Sequence, residues 1–130
     1  MKAYWDSSAL VSAWEDLELR RRLRAERGFT RTHSLAEMFS TLTGKLAIRL
    51  TADHAAQVVE QFAEDLDFVE LSPREVLSAF MQARRRGVRG GRVHDYLHAV
   101  AAEKSRASLF LTLDKNDFEG LTGAVKIEQV

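Results

Sequence analysis

The sequence contains no cysteine, a single proline and no net charge. The absence of cysteine excludes a disulfide framework and a thiolate metal site. Nineteen basic residues balance nineteen acidic residues, so the net charge indicates no partner. No apolar stretch approaches the roughly 18 residues that a membrane helix needs, and Asp6 comes too early for a signal peptide. We therefore expect a soluble, cytoplasmic protein that does not contact a membrane.

Short apolar segments alternate with amphipathic segments along the chain, which by its length is one domain, residues 1–130. The period-two or continuous apolar segments predict strands at residues 2–6, 29–32, 67–71, 109–113 and 126–128. The 3.6-residue periodicity predicts a helical hairpin at 8–26 and helices at 34–45, 51–65, 72–86 and 94–105. This alternation predicts an α/β fold with a mainly parallel sheet.

Apolar stripes on the predicted helices indicate which faces are buried. The helix at 34–45 is expected to bury Leu35, Met38, Phe39, Leu42 and Leu46. The helix at 72–86 starts with Ser72-Pro73-Arg74-Glu75, a capping box with proline at the first helical position. Its inward face is expected to carry Val76, Leu77, Phe80 and Met81.

Acidic residues end two of the apolar segments that read as buried strands. Asp6 follows Ala3-Tyr4-Trp5, and Asp114 follows the apolar run at 109–113. An isolated buried carboxylate is costly, and parallel strands would bring both acids to one edge, where α/β sheets form their sites. Clustered acids repel one another unless a hard cation lies between them. The pattern therefore indicates a Mg²⁺ or Mn²⁺ site, although Asp6 or Asp114 could instead cap the helix that follows it.

Three further acids have both a functional and a local structural interpretation. Glu37 completes a capping box with Ser34, which favours a structural role, but its helix face also carries small residues that would let a metal site come close. Asp95 opens a nearly all-apolar helix, where a functional role is favoured over interaction with the helix dipole. Asp117 lies with Asp114 in a polar turn, and at least one of this pair is a candidate ligand.

Two arginine runs could bind phosphate, or could form solvated helix faces. They comprise Arg20, Arg21, Arg22, Arg24 and Arg27, and Arg84, Arg85, Arg86, Arg89 and Arg92. His94 and His98 are one helical turn apart, but no third zinc ligand at a suitable spacing accompanies them. We expect these two histidines to be packed or solvent-facing.

The acids lie in four motifs that follow one another along the chain: Asp6-Ser7-Ser8-Ala9-Leu10, Ser34-Leu35-Ala36-Glu37, Gly90-Gly91-Arg92-Val93-His94-Asp95 and Thr112-Leu113-Asp114-Lys115-Asn116-Asp117-Phe118. These ordered motifs resemble those of the PIN-domain ribonucleases. Their order and spacing, and the length of the chain, most resemble the VapC-type toxins of toxin–antitoxin pairs. The resemblance covers residues 6–118, nearly the whole chain.

The resemblance implies a PIN-like three-layer sandwich with a five-stranded sheet of order 3-2-1-4-5 flanked by helices. It implies a Mg²⁺- or Mn²⁺-dependent endoribonuclease, with a cognate antitoxin and a homodimer as expected partners. The implied catalytic and metal-binding acids are Asp6, Glu37, Asp95, Asp114 and Asp117. The hydroxyls of Ser8 and Thr112 would contact those acids and orient them without binding the metal themselves. The RNA backbone would be held by Arg20, Arg21, Arg24, Arg86, Arg89 and Arg92.

Two other functions use an acid after the first strand. An Asp-nucleophile phosphohydrolase usually needs a second acid two residues later, where this chain has Ser8. A non-catalytic, receiver-like or adaptor module that binds Mg²⁺ would explain Asp6 but has no use for acids in all four motifs. Incubation with metal and with either RNA or a phosphomonoester separates the three possibilities.

Overall fold

Five strands alternate with six α-helices in the computed structural model, which describes residues 2–45 and 47–130. The strands are β1 (Ala3–Trp5), β2 (Gly28–Thr30), β3 (Leu66–Phe68), β4 (Leu109–Thr112) and β5 (Lys126–Gln129). The helices are α1 (Ser7–Glu15), α2 (Leu17–Glu26), α3 (Thr32–Gly44), α4 (Ala52–Ala63), α5 (Pro73–Gln82) and α6 (Arg92–Ser105). Short 3-10 helices, Ala83–Arg86 and Lys115–Phe118, follow α5 and β4. In this part of the chain, no helix is long and apolar enough to cross a membrane.

All five strands are parallel and form one sheet of order β3-β2-β1-β4-β5. The register places Tyr4 of β1 beside Phe29 of β2 and Phe110 of β4. The predicted α/β fold and strand order 3-2-1-4-5 are therefore confirmed, with β5 at an edge. Because the strands share one direction, their carboxyl ends lie together. We call this side of the sheet, where Asp6, Arg31 and Leu113 follow their strands, the carboxyl edge.

Alternate residues of β1 face opposite helical layers, which makes the molecule a three-layer sandwich. Ala3 and Trp5 pack in a cluster with residues of α1, α2, α3 and α4. Tyr4 packs in a second cluster with α5, α6 and Phe110. Strands covered on both faces read as continuous apolar runs. The lack of strict alternation in the β1 and β4 sequences therefore reflects burial on both sides.

The apolar face of α5 is a correction to the expected core. Only Ala79 of this helix is buried, while Leu77, Phe80 and Met81 are 62%, 45% and 85% exposed. The helix is amphipathic as expected, but its neighbour α6 covers only a small part of it. In α3, Met38 and Leu42 are buried as expected, whereas Phe39 is exposed. Leu46, the last residue of that predicted stripe, lies outside the described residues.

Two predicted helix starts have different outcomes. The capping box of α5 is confirmed, because the Ser72 hydroxyl accepts from the Glu75 amide and the Glu75 carboxylate accepts from the Ser72 amide. The predicted box at Ser34 and Glu37 is wrong. Helix α3 already begins at Thr32, and its N-cap, Arg31, makes no side-chain capping bond. Ser34 is instead buried and accepts a hydrogen bond from the Thr30 hydroxyl over 2.7 Å.

Candidate active site

The five acids from the four motifs all lie on the side of the sheet that carries the carboxyl edge. Asp6 comes directly after β1, and Asp114 and Asp117 come after β4. Glu37 lies in the second turn of α3, which begins just after β2, and Asp95 lies in the first turn of α6. Each acid is therefore placed by the end of a strand or by the first turns of a helix that packs on the sheet.

Asp6 is buried and has two structural contacts of its own. Its Oδ1 accepts the amide of Ala9 over 2.9 Å, so Asp6 is the N-cap of α1. The same oxygen accepts the Ser8 hydroxyl over 2.7 Å. Burial raises the pKa of Asp6 above its ordinary value, although the Thr112 and Ser8 hydroxyls oppose this effect. The helix-capping role is confirmed.

Two hydroxyls join the ends of β1 and β4 behind these acids. Ser8 Oγ lies 3.3 Å from Thr112 Oγ1 and accepts the amide of Leu113 over 2.9 Å. Thr112 Oγ1 accepts the amide of Asp114 over 3.2 Å. Ser8 and Thr112 therefore fix the positions of the Asp6 carboxylate and of the backbone that carries Asp114.

Glu37 reaches across from α3 to α6, where its Oε1 lies 2.6 Å from Nε2 of buried His98. Its own partial burial would raise the pKa of Glu37. The hydrogen bond and charge of His98 outweigh that burial, and the nearby His33 and Arg31 add to the effect. The pKa of Glu37 is therefore below its ordinary value, and the carboxylate is held in its charged form.

Acids from the other three motifs act on Asp95. Burial, and then the negative charge of Asp117, raise its pKa. The charges of Asp6 and Glu37 raise it further, while His98 opposes them. Each of the other three motifs therefore contributes one negative charge that acts on Asp95.

Asp95 and Asp117 line an open pocket of about 320 Å³ together with Arg92 and Asn116. Asp117 is exposed; slight desolvation and then its neighbour Asp114 raise its pKa, whereas Arg92 lowers it. Asp114 occupies the N-cap position of the 3-10 helix Lys115–Phe118 but makes no side-chain capping bond, so its predicted capping role is wrong. The pocket thus combines carboxylates, an amide and one guanidinium.

The donor set fits a hard divalent cation by its chemistry. All five candidate ligands are carboxylates, which suit Mg²⁺ or Mn²⁺. Burial raises the pKa of Asp6 and of Asp95, and at Asp95 the charges of other acids add to this effect. Among residues 2–45 and 47–130, however, no group of three or more Asp, Glu or His side chains is placed to hold one ion. The five acids therefore lie on one side of the sheet, but the described residues do not form the expected metal-binding cluster.

The two arginine runs are placed differently. In the first run, Arg20 donates to Asp65 over 2.7 Å and Arg21 to Glu18 over 2.7 Å, while Arg24 is exposed on α2. Asp65 lies at the amino ends of the strands, because its carbonyl accepts the amide of Gly28, where β2 starts. This run therefore lies away from the acids.

The second arginine run ends at Arg92, which lines the pocket. Arg92 donates to the Glu119 carbonyl over 3.3 Å, and Arg86 donates to the Gly120 carbonyl over 3.4 Å. Arg89 is exposed in the loop between them. Of this run, Arg92 therefore lies at the acidic pocket, whereas Arg86 contacts the segment after Asp117 and also lines a cavity with Glu103.

Sequence reasoning missed two buried residues of the site. His98 is packed, as one of its two expected fates, but its contact with Glu37 was not expected. Tyr4 was counted only as strand, yet its hydroxyl lies 2.7 Å from His98 Nδ1. A buried tyrosine hydroxyl requires a hydrogen-bond partner, which was the one available signal. His94 is exposed and stacks on His33, with ring centroids 6.2 Å apart.

The family model of the PIN domain matches residues 3–123 of the chain. This range covers the sheet through β4, all six α-helices and all five acids. No curated protein matches the chain.

Proposed function

The chain belongs to the PIN-domain family, and we propose that it is a Mg²⁺- or Mn²⁺-dependent endoribonuclease, the toxin of a VapBC-type pair. PIN domains are typically nucleases and generally use divalent metal ions. The observation that carries the proposal is the pocket that Asp95 shares with Asp117, on the side of the sheet where Asp6 and Glu37 also lie. Burial, and then the charge of Asp117, raise the pKa of Asp95. Acids brought together in this way from distant parts of the chain suit a cation and a phosphodiester substrate.

Asp6 and Asp95 are the acids that would hold the cation most directly. Glu37, Asp117 and Asp114 would complete its ligands, bind a second ion or orient a water molecule. A bound divalent ion would lower the pKa of a water molecule and neutralise charge on the phosphate oxygens. The protein's own part is to keep these carboxylates ionised and in place. For Asp6 the Ser8 hydroxyl opposes the effect of burial on the pKa, and for Glu37 His98 holds the pKa below its ordinary value against the effect of burial.

The RNA backbone would lie against the second arginine run. Arg92 shares the pocket with Asp95 and Asp117, so a phosphate beside the acids could be paired by its guanidinium. Arg86 and Arg89 would extend this contact along the strand. Arg20, Arg21 and Arg24 would contribute less, because they lie on α2 and the first two are engaged in ion pairs. Contacts of this kind hold the backbone and supply little sequence specificity.

A small antitoxin is the protein partner that we propose, with a homodimer of the toxin in the cytoplasm. An excess of carboxylates is an attractive target for a basic residue from another chain. Such a residue would compete with the metal, so antitoxin binding should weaken as Mn²⁺ rises. Co-purification from the native host, with this chain tagged and its neighbouring gene expressed, tests this pairing. Recovery without a small stoichiometric companion would contradict it and leave a free-standing nuclease.

The experiment that tests the enzymatic proposal compares three substrates with and without Mn²⁺ or Mg²⁺. Wild-type protein should cleave RNA only with metal, should release no phosphate from a generic phosphomonoester and should cleave DNA poorly. Asp95→Asn should keep the fold and lose cleavage, because an amide is a far poorer ligand for a hard cation. Glu60→Gln, an exposed change on α4, is the matched control. Phosphate release would favour an Asp-nucleophile phosphohydrolase, and metal binding without any turnover would favour an adaptor module.

A further inference from the structure

A buried hydrogen-bonded chain connects the central strand to one of the candidate ligands. The Tyr4 hydroxyl lies 2.7 Å from His98 Nδ1, and His98 Nε2 lies 2.6 Å from Glu37 Oε1. Tyr4 and His98 are 0% and 2% exposed, and the Tyr4 ring stacks on Phe110 with centroids 5.3 Å apart. The chain therefore starts in the packed core and ends at the carboxyl edge.

The chemistry of the Glu37 carboxylate fixes the direction of one of these hydrogen bonds. An ionised carboxylate only accepts, so His98 Nε2 carries a proton and donates a hydrogen bond to Glu37. Burial raises the pKa of Tyr4 far above its ordinary value, so the hydroxyl keeps its proton. A tyrosine hydroxyl both donates and accepts, so it can donate to a bare Nδ1 or accept from a protonated one. His98 therefore satisfies both partners as long as Nε2 carries a proton.

We propose that His98, itself oriented by Tyr4, is a positioning residue that fixes the Glu37 carboxylate for the reaction. This inference rests on the proposed nuclease function, because it assigns Glu37 a part in the site. Only Oε1 of Glu37 is engaged by a described side chain, so Oε2 is left for a cation or for water. Groups that orient a ligand from behind in this way are worth about 10- to 100-fold in metal affinity or activity.

A purely space-filling role for His98 makes a different prediction. It lies on the buried face of α6 with Tyr96, Ala99 and Ala102, where a leucine would fill similar volume. If packing were its role, His98→Leu would preserve function. If positioning is its role, His98→Gln should retain more function than His98→Leu, because the glutamine amide can donate near the place of Nε2. Tyr4→Phe keeps the ring and its stacking and removes only the hydroxyl.

Steady-state kinetics of RNA cleavage give the first measurement. We expect His98→Leu to lower kcat about tenfold or more with KM for RNA nearly unchanged, and His98→Gln and Tyr4→Phe to lower it less. In a Glu37→Ala background, His98→Leu should cause little further loss, because the two residues act as a unit. His54→Leu, an exposed histidine of α4, is the control. Wild-type kcat in His98→Leu, or the same loss in the Glu37→Ala background, would overturn the proposal.

Two readouts besides activity test the geometry itself. In ¹⁵N-histidine-labelled protein, long-range NMR spectra should show a proton on His98 Nε2, and Tyr4→Phe should shift the Nδ1 signal. Mn²⁺ binding, followed by the electron paramagnetic resonance of the free ion, should be weaker in His98→Leu than in His98→Gln. A His98 whose Nε2 carries no proton, or equal Mn²⁺ affinity in all variants, would overturn the positioning role. A wild-type protein that shows the expected Nε2 proton and Mn²⁺ pattern but cleaves no RNA would contradict the proposed function alone.

Discussion

The Ser8 hydroxyl donates a 2.7 Å hydrogen bond to Oδ1 of Asp6, two residues earlier in the chain. The same hydroxyl oxygen accepts the amide of Leu113, at the end of the neighbouring strand. One small side chain therefore joins a buried acid on β1 to the backbone that leads to Asp114. Ser8 and Leu113 are 105 residues apart in the chain, so this contact fixes the spacing between two of the acidic motifs.

Ser8→Ala should reduce both stability and RNA cleavage. The change removes a donor to Asp6 and leaves the Leu113 amide without its acceptor, which should cost about 1 kcal/mol. We expect cleavage to fall about tenfold, in the range found for groups that orient a ligand. Thermal melting and kcat measure the two effects. Ser7→Ala, the adjacent change in α1, is the control, and an equal loss in both variants would contradict a specific role for Ser8.

Asp117→Asn and Asp114→Asn should have unequal effects on cleavage. Asp117 lines the pocket with Asp95 and acts on its pKa, whereas Asp114 acts on Asp117. We expect the cleavage rate to fall about tenfold or more further in Asp117→Asn than in Asp114→Asn. Asp117 would be a metal ligand, whereas Asp114 would only orient that ligand. Single-turnover cleavage with saturating Mn²⁺ measures both. The reverse ranking would assign the ligand role to Asp114.

Asp95→Asn should raise the melting temperature of the metal-free protein at neutral pH. The folded-state pKa of Asp95 is raised, first by burial and then by Asp117, so its ionised form costs stability. This cost is present above the folded pKa and is lost as pH falls through it. With solvent screening, we expect a gain on the order of 2 °C. The gain should vanish in acid, and a gain that persists there would contradict an electrostatic origin.

The same variant should respond less to metal than the wild type does. A ligand that binds only the folded state stabilises it by mass action, so millimolar Mn²⁺ should raise the melting temperature of the wild type. Asp95→Asn should show a smaller shift, because one candidate ligand is gone. Superimposable wild-type melting curves with and without Mn²⁺ would count against a shared metal site.

Asp67→Asn should lower stability at neutral pH and have no effect in strong acid. Asp67 pairs with Lys2 and Arg27, and hydrogen bonds from these two side chains lower its pKa. A lowered folded-state pKa contributes stability above the ordinary pKa of aspartate, and this contribution is lost as pH falls through the folded value. Because all three side chains are partly exposed, we expect a loss of about 0.2–1 kcal/mol. Urea melts from neutral to acidic pH measure it, with Glu60→Gln as control.

Gly28→Ala should be clearly destabilising, and Gly44→Ala should not. A Cβ on Gly28 would lie 2.5 Å from Cδ1 of buried Trp5, so the indole would have to move. Overpacking of this kind costs about 1–3 kcal/mol. At Gly44, the last residue of α3, a Cβ meets no described atom within 4 Å. Equal melting temperatures for the two variants would mean that Trp5 can shift without cost.

Local patterns predicted the elements well and their surroundings less well. The alternation of strands and helices predicts a parallel sheet because consecutive parallel strands need a crossover. The stripe of Leu77, Phe80 and Met81 identified the apolar face of α5, but a stripe does not say whether a neighbour covers it. At Glu37 the local pattern indicated a capping box. In the structure the helix begins earlier, at Thr32, and Glu37 contacts His98 of another helix.

The sequence by itself determined that acids come directly after the first and fourth strands. Because parallel strands have all their carboxyl ends at one edge of the sheet, the sequence alone assigns Asp6 and Asp114 to that edge. Only the tertiary structure decided which side chains meet there. The contact between Glu37 and His98 spans 61 residues, and the contact between Tyr4 and His98 spans 94. Hydrogen bonds act over about 3 Å, so such contacts depend on how the helical layers pack on the sheet, which no local pattern specifies.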